Sequence, residues 1–143
     1  MKTLNNYIHE AWSGVKKHTN NAEIEAWCEG VGIENYTINS KGEIDVDGNV
    51  HLEYSEFKEL PYKFGTVDGY FYLEGCENLI SLKNCPNYVN TSFDIDGCKK
   101  LDSLEGCPKE VKGNFWCTNC KRVFTKEEVM SLCKVKGTSH IHI

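Results

Sequence analysis

The chain repeats a pattern of residues every 22 positions through its C-terminal half. Residues 69–89, 91–111 and 113–133 align with one another without gaps. Five series of equivalent positions keep this step, and they are Phe71, Phe93 and Phe115; Leu73, Ile95 and Cys117; Cys76, Cys98 and Cys120; Leu79, Leu101 and Val123; and Val89, Val111 and Cys133. A unit of this length cannot bury an apolar edge alone, so neighbouring units are expected to stack around a shared core.

Each repeat opens with inward-facing residues two positions apart, such as Phe71 and Leu73. Because side chains alternate between the two faces of a strand, this spacing predicts one short strand per repeat. Residues 48–64 fit the pattern more loosely and are interpreted as a first coil with shifted spacing. The positions that they share with the later repeats are Val50, Leu52, Phe57, Leu60 and Pro61.

The pattern F-x-L-x-x-C-x-x-L-x-x-L at a period of 22 resembles a leucine-rich repeat, with Cys at a position that Asn or Cys often holds. The resemblance covers roughly residues 48–133. It implies an α+β fold, a short leucine-rich-repeat-like solenoid of 22-residue coils with one short strand each. Such repeats serve many partners, so the resemblance implies an architecture and leaves the function to be argued from the exposed residues.

Caps are expected at both ends of the stack, within one compact domain. Residues 1–47 are interpreted as an N-terminal cap, with an amphipathic helix from about Leu4 to Val15, a helix near residues 22–29 and a hairpin that turns at residues 40–42. The coils are placed at residues 48–124. Residues 125–143 are interpreted as a capping helix followed by a tail that is either a short strand or irregular.

The C-terminal helix, near residues 126–134, has clear start signals. Thr125 and Glu128 have the spacing of a capping box, and Phe124 and Val129 have that of a hydrophobic staple. The residues expected to cover the core are Val129, Leu132 and Cys133.

The first eleven residues, MKTLNNYIHEA, resemble the capsid-targeting peptides of proteins packaged in the heads of tailed bacteriophages. In that family a prohead protease cuts after an apolar-x-Glu tripeptide. The resemblance implies processing between Glu10 and Ala11, after Ile8-His9-Glu10. The repeat phrases also resemble the repeat proteins of tailed phages. Small packaged or early phage proteins often disarm host enzymes, so the two resemblances together imply such a role. The alternative interpretation of these residues is an amphipathic cap helix.

Cys117 and Cys120 form a Cys-x-x-Cys pair, which raises a metal or redox interpretation. A zinc site needs two further ligands, and Cys133 with His140 or His142 could supply them at an unfamiliar spacing. On the 22-residue period, however, all three cysteines replace or continue core positions, so we expect buried thiols and no metal. No nucleophile elbow, phosphate loop or other catalytic signature occurs, and we expect neither an enzyme nor a cofactor.

Charge and hydropathy limit the classes of partner. The formal net charge is −5, which disfavours direct nucleic-acid binding, because phosphate recognition needs clustered Lys and Arg. No apolar run is long enough for a membrane span, so no membrane partner is expected. Eight cysteines without a secretory signal favour a reducing compartment, interpreted as the host cytoplasm, with packaging in the virion head as the alternative.

The outward strand positions define the surface on which a partner is expected. They are His51, Glu53, Tyr70, Tyr72, Glu74, Asp94, Asp96, Asn114, Trp116 and Thr118. The predicted partner-binding residues among them are Tyr70, Tyr72, Glu74, Asp94, Asp96 and Trp116. Exposed aromatic residues beside acids suit a protein interface with a basic partner surface, although Tyr70 and Trp116 could instead pack on the caps.

The resulting prediction is a phage-type interaction module that binds and inhibits a host protein in defence or nucleic-acid processing. One alternative is a capsid-internal structural or cargo protein without inhibitory activity. The other is a zinc-binding regulator that uses Cys117 and Cys120.

Overall fold

The structure is a computed structural model that describes residues 20–143. Over that range the fold is mixed α+β, with two α-helices and two five-stranded sheets whose strands are mostly parallel. The helix predicted from about Leu4 to Val15 and the Glu10–Ala11 bond lie outside the described residues.

Helix α1, Asn21–Gly30, begins at a side-chain cap and packs its apolar side onto the core. The side chain of Asn20 accepts a hydrogen bond from the amide of Ala22 at 2.9 Å. Ile24 and Cys28 are buried. The helix predicted near residues 22–29 is therefore confirmed.

Helix α2, Lys126–Leu132, has the predicted capping box. The Glu128 amide donates to the hydroxyl of Thr125 at 3.1 Å, and the Thr125 amide donates to the Glu128 carboxylate at 3.3 Å. Phe124 and Val129, the predicted staple, are both buried. Within residues 20–143 neither helix has the length and apolar character needed to cross a membrane.

Two expectations for this end of the chain are wrong. Leu132 does not cover the core, because its side chain is 49% exposed. The helix also stops before Lys134, since that residue turns to strand-like pairing: its amide donates to Lys109 O, and its carbonyl accepts from the Val111 amide. The tail contains a 3-10 turn, Thr138–His140, and then a strand, which decides between the two alternatives for the last residues.

Ten short strands form the two sheets. They are β1 Tyr36–Ile38, β2 Ile44–Val46, β3 Val50–His51, β4 Phe64–Val67, β5 Phe71–Tyr72, β6 Tyr88–Val89, β7 Phe93–Asp94, β8 Glu110–Val111, β9 Phe115–Trp116 and β10 Ile141–His142. Sheet one has the order β1-β2-β4-β6-β8, and sheet two has the order β10-β9-β7-β5-β3. The predicted hairpin is the antiparallel pair β1–β2, and every other pair is parallel.

The prediction of one strand per repeat is wrong, because residues 69–89 and residues 91–111 each contribute one strand to each sheet. In residues 69–89, for example, β5 lies in sheet two and β6 lies in sheet one. Strands of two residues place a single side chain in the core, so they leave no run of alternation for a sequence pattern to detect. The series Val89 and Val111, first interpreted only as core, marks the strands of sheet one.

The parallel register joins each residue to its equivalent in the next repeat. Phe71 pairs with Phe93, and Phe93 pairs with Phe115. The rings of Phe71 and Phe93 stack with centroids 6.1 Å apart, and the ring of Phe115 is tilted by 56° against that of Phe93 with centroids 5.2 Å apart. All three rings are fully buried. The 22-residue period of the sequence is thus the offset between hydrogen-bonded strands.

A left-handed backbone corner follows four strands of sheet two, β3, β5, β7 and β9. The residues with positive φ at this corner are Tyr54, Gly75, Gly97 and Asn119. The Gly75 amide donates to Asp96 O at 2.7 Å, and the Gly97 amide donates to Thr118 O at 2.9 Å. These two corners therefore bond to the following repeat, and glycine suits them because a Cβ disfavours this conformation.

We expect Gly97→Ala to lower the free energy of unfolding by about 1–2 kcal/mol, the cost of a left-handed alanine. A Cβ at Gly97 would have its nearest contact at 3.6 Å, so the cost comes from φ of +73° and not from a clash. Gly30→Ala is the matched control, because Gly30 lacks a positive φ and has open space around it. Urea unfolding measures both variants, and equal effects would contradict the corner argument.

Candidate partner-binding site

Sheet two places one side chain from each of its five strands in a single row. In strand order these residues are His51, Tyr72, Asp94, Trp116 and His142, and we call them the sheet-two row. Neighbouring strands lie about 4.8 Å apart, so the row extends for roughly 19 Å. It is the outward counterpart of the buried phenylalanine series, because the two sets alternate along the same strands.

All six predicted partner-binding residues lie in this row or two positions from it along the chain. Tyr72, Asp94 and Trp116 are its three central members and are partly exposed. Tyr70 precedes Tyr72, with 37% of its surface exposed. Glu74 and Asp96 follow the strands on the other side, at the left-handed corners.

The aromatic rings of the row are held by other rings. Trp116 stacks on His142 with a centroid distance of 3.6 Å and an angle of 10° between the planes. Tyr72 stacks on Tyr70 at 5.2 Å and 11°, and His51 packs against Tyr72 at 5.4 Å. Within residues 20–143, Tyr70 and Trp116 thus have strand residues as their aromatic neighbours and not residues of the helices.

The sequence interpretation considered His140 and His142 only as tail residues and as possible zinc ligands, and it missed their position beside the sheet-two row. His140 Nδ1 and His142 Nε2 lie 3.2 and 3.3 Å from Oδ1 of Asn114, to which an imidazole N–H can donate. The available signal was the alternation His140-Ile141-His142, which repeats the pattern of Asn114-Phe115-Trp116. Ile141 pairs with Phe115 accordingly.

Asp94 lies at the centre of the row as a half-buried carboxylate. Its Oδ1 accepts a hydrogen bond from the Asp96 amide at 2.8 Å. Burial raises the pKa of Asp94 to about 6, and the negative charges of Asp96, Glu74 and Glu53 add to the increase, against the lowering effect of that hydrogen bond.

The charged residues around Asp94 have defined partners of their own. Glu53 accepts from His51 Nδ1 at 2.8 Å, and Asp96 accepts from the Thr118 amide at 2.6 Å. Burial, followed by the charges of Tyr70, Asp94 and the two glutamates, also raises the pKa of Tyr72. The row and its flanks therefore combine four carboxylates, from Glu53, Glu74, Asp94 and Asp96, with no Lys or Arg.

The repeated cysteines are hydrogen-bonded thiols in the core. The Sγ atoms of Cys76, Cys98 and Cys120 donate to backbone carbonyls at 3.2, 3.3 and 3.4 Å, each carbonyl belonging to the repeat before. Cys117 Sγ donates to the carbonyl of His142 at 3.5 Å. All eight cysteines are free thiols, and none of them joins a neighbouring repeat by a disulfide.

The zinc alternative required Cys117, Cys120, Cys133 and a C-terminal histidine to converge. In the part of the chain that the structure describes, no group of three or more His, Cys, Asp or Glu side chains is arranged to hold a metal ion. The thiols of Cys117 and Cys120 instead donate to two separate backbone carbonyls, those of His142 and Ile95 respectively.

The Asp94→Asn variant should be more stable than the parent chain at neutral pH. Because the folded pKa of Asp94 is raised, its neutral form stabilises the fold below about pH 4, and this contribution is lost as the pH rises through 6. We expect a gain on the order of 1 kcal/mol at about pH 7.5, after allowance for solvent screening, and almost none at about pH 4.

Urea unfolding at the two pH values tests this prediction. Asp47→Asn is the matched control, since it removes an exposed carboxylate outside the row. A gain for Asp94→Asn that is equal at both pH values would contradict the assignment.

The native thiols should react slowly with iodoacetamide. Burial raises the pKa values of Cys28 and Cys120 to about 11 from an ordinary 9.0, so each has about a hundredfold less thiolate near pH 8. Mass spectrometry should show alkylation about a hundredfold slower in the native chain than in urea. Rapid alkylation of any one native cysteine would instead identify an activated thiol.

Comparison with known proteins gives no relative from which a function could be transferred. No protein-family model, no curated protein and no solved structure matches the chain. The function is therefore argued from the geometry of the sheet-two row.

Proposed function

We propose that the chain is a short leucine-rich-repeat-like solenoid that binds another protein through the sheet-two row. Parallel pairing at a 22-residue offset in both sheets supports the solenoid, as do corners that repeat at the same interval. Helix α1 packs at one end and the segment from α2 to β10 at the other, in the manner of the caps that a repeat stack needs.

The observation that carries the binding proposal is a partly exposed aromatic surface whose rings are held in place by stacking. Tyr72 and Trp116 are anchor residues of the type that supplies most of the binding energy in protein interfaces. Their rings are already stacked, on Tyr70 and His142 respectively, so binding would cost little side-chain entropy. The neighbouring carboxylates would orient a partner and exclude acidic surfaces.

The proposed partner is a protein with a basic surface. The net charge of −5 and the four carboxylates at the row oppose the approach of nucleic acid, whose phosphates need cations. The resemblance of residues 1–11 to capsid-targeting peptides sets the proposal in a phage-infected cell, with a host protein that the chain inhibits as the partner.

Affinity capture from host-cell lysate tests the proposal. The double variant Tyr72→Ala/Trp116→Ala should retain less than about a tenth of the partner that the parent chain captures, as expected when two interface anchors are lost. Tyr88→Ala/Val123→Ala is the control, because it removes two exposed apolar side chains away from the row.

Circular dichroism and thermal unfolding establish that both double variants are folded. Full capture by the folded Tyr72→Ala/Trp116→Ala protein would contradict the proposed function. Equal losses in both double variants would also contradict it, since binding would then not be specific to the row.

A further inference from the structure

We propose that the centre of the sheet-two row is a binding site for the guanidinium group of an arginine side chain. Asp94 lies at the base of this site, and Tyr72 and Trp116 lie on the two neighbouring strands. The inference rests on the proposed function, because it names the chemistry of the partner residue that the row would receive.

The arrangement of Tyr72, Asp94 and Trp116 on neighbouring strands defines the proposed site. Tyr72 on β5 and Trp116 on β9 flank Asp94 on β7, and all three are in register. Two strand intervals separate the backbones of the aromatic residues by about 10 Å. The aspartate between them is shorter than either ring, so the proposed site lies above its carboxylate and between the two aromatic side chains.

The stacking of Trp116 on His142 leaves one face of its indole ring for the proposed site. His142 covers one face of the indole at a centroid distance of 3.6 Å, and it lies on β10, the strand beyond β9. The opposite face of the indole therefore turns toward β7 and Asp94. A cation above that carboxylate would also lie against the electron-rich face of the ring, where it is attracted by the quadrupole.

The negative charges around Asp94 favour a cationic ligand. Among residues 20–143, Asp94 forms no ion pair with Lys, Arg or His, and its polar contact is the Asp96 amide. Glu53, Glu74 and Asp96 act on the same carboxylate and add negative potential. A bound cation would relieve this repulsion, whereas a phosphate or a carboxylate would increase it.

Arginine fits this arrangement better than lysine. Its guanidinium is planar, stacks on an aromatic face and presents a fork of donors to a carboxylate. An ammonium is compact and strongly hydrated, so it would lose more water and gain no stacking. Since Oδ1 of Asp94 already accepts from Asp96, Oδ2 would take the principal hydrogen bond from the arginine.

The test is a titration of the full chain with short capped peptides, followed by the NMR signal of the Trp116 indole N–H. The chain has three tryptophans, so Trp116→Phe assigns that signal. Ac-Gly-Arg-Gly-NH2 is the probe at constant ionic strength. Its matched controls contain lysine, or citrulline, which has the shape of arginine without its charge.

We expect a saturable shift with the arginine peptide and a dissociation constant about tenfold lower than that of the lysine peptide. The citrulline peptide should give no saturable shift. Asp94→Asn should weaken arginine binding by about tenfold, and Asp47→Asn should leave it unchanged. Equal binding of the arginine and citrulline peptides, or unchanged binding to Asp94→Asn, would overturn the inference.

Partner capture separates this inference from the proposed function. If Tyr72→Ala/Trp116→Ala loses the partner while Asp94→Asn keeps it and the peptide titration is flat, the row binds protein but the arginine site is wrong. If the double variant keeps the partner, the proposed function is wrong even where the arginine peptide binds.

Discussion

The parallel pairing of strands at a constant 22-residue offset is the constraint on which the rest of the structure depends. It brings every residue beside its equivalent in the next repeat, so one choice of side chain is copied through the stack. Phe71, Phe93 and Phe115 become a continuous buried column in this way. The same offset puts side chains that are distant in sequence into one partly exposed row.

Such a register has a cost, because like groups are also placed beside like groups. Repeated phenylalanines benefit from it through ring contacts, and the repeated cysteines benefit because each thiol meets a carbonyl of the preceding repeat. Carboxylates do not benefit. Asp94 lies near Glu53, Glu74 and Asp96, and its pKa is raised by burial and by the repulsion from these carboxylates. An arrangement that weakens the fold at neutral pH is typical of a surface kept for binding.

The parts of the fold that follow from strong local periodicity could be predicted from the sequence. The buried series, the hairpin, helix α1 and the capping box of α2 are of this kind, because each depends on residues at fixed short spacings. The second strand of each repeat could not be predicted, since two-residue strands have no alternation of their own. The exposure of Leu132 could not be predicted for a related reason. The helix ends before Lys134 because Lys134 pairs with a strand, and that pairing is a long-range contact.

The candidate site could likewise be predicted from the sequence only in part. Tyr72, Asp94 and Trp116 could be placed in one column from the 22-residue step, but His142 could not, because it lies 26 residues beyond Trp116 and outside the period. Its stack on Trp116 depends on the path of the chain through α2 and the 3-10 turn. A local alternation could have suggested a strand there, although not the partner of that strand.

The contrast between the two faces of sheet two is the strongest reason to interpret the row as functional. On the buried face of these strands the repeats hold the same residue, Phe, at three successive positions. On the exposed face the equivalent positions are Tyr72, Asp94 and Trp116, three side chains with different chemistry. Strand formation alone would be served by any β-branched or aromatic residue at all three. An aspartate between two aromatic residues is a poor choice for the sheet and a good one for a cationic ligand, so recognition explains the departure from the repeat better than architecture does.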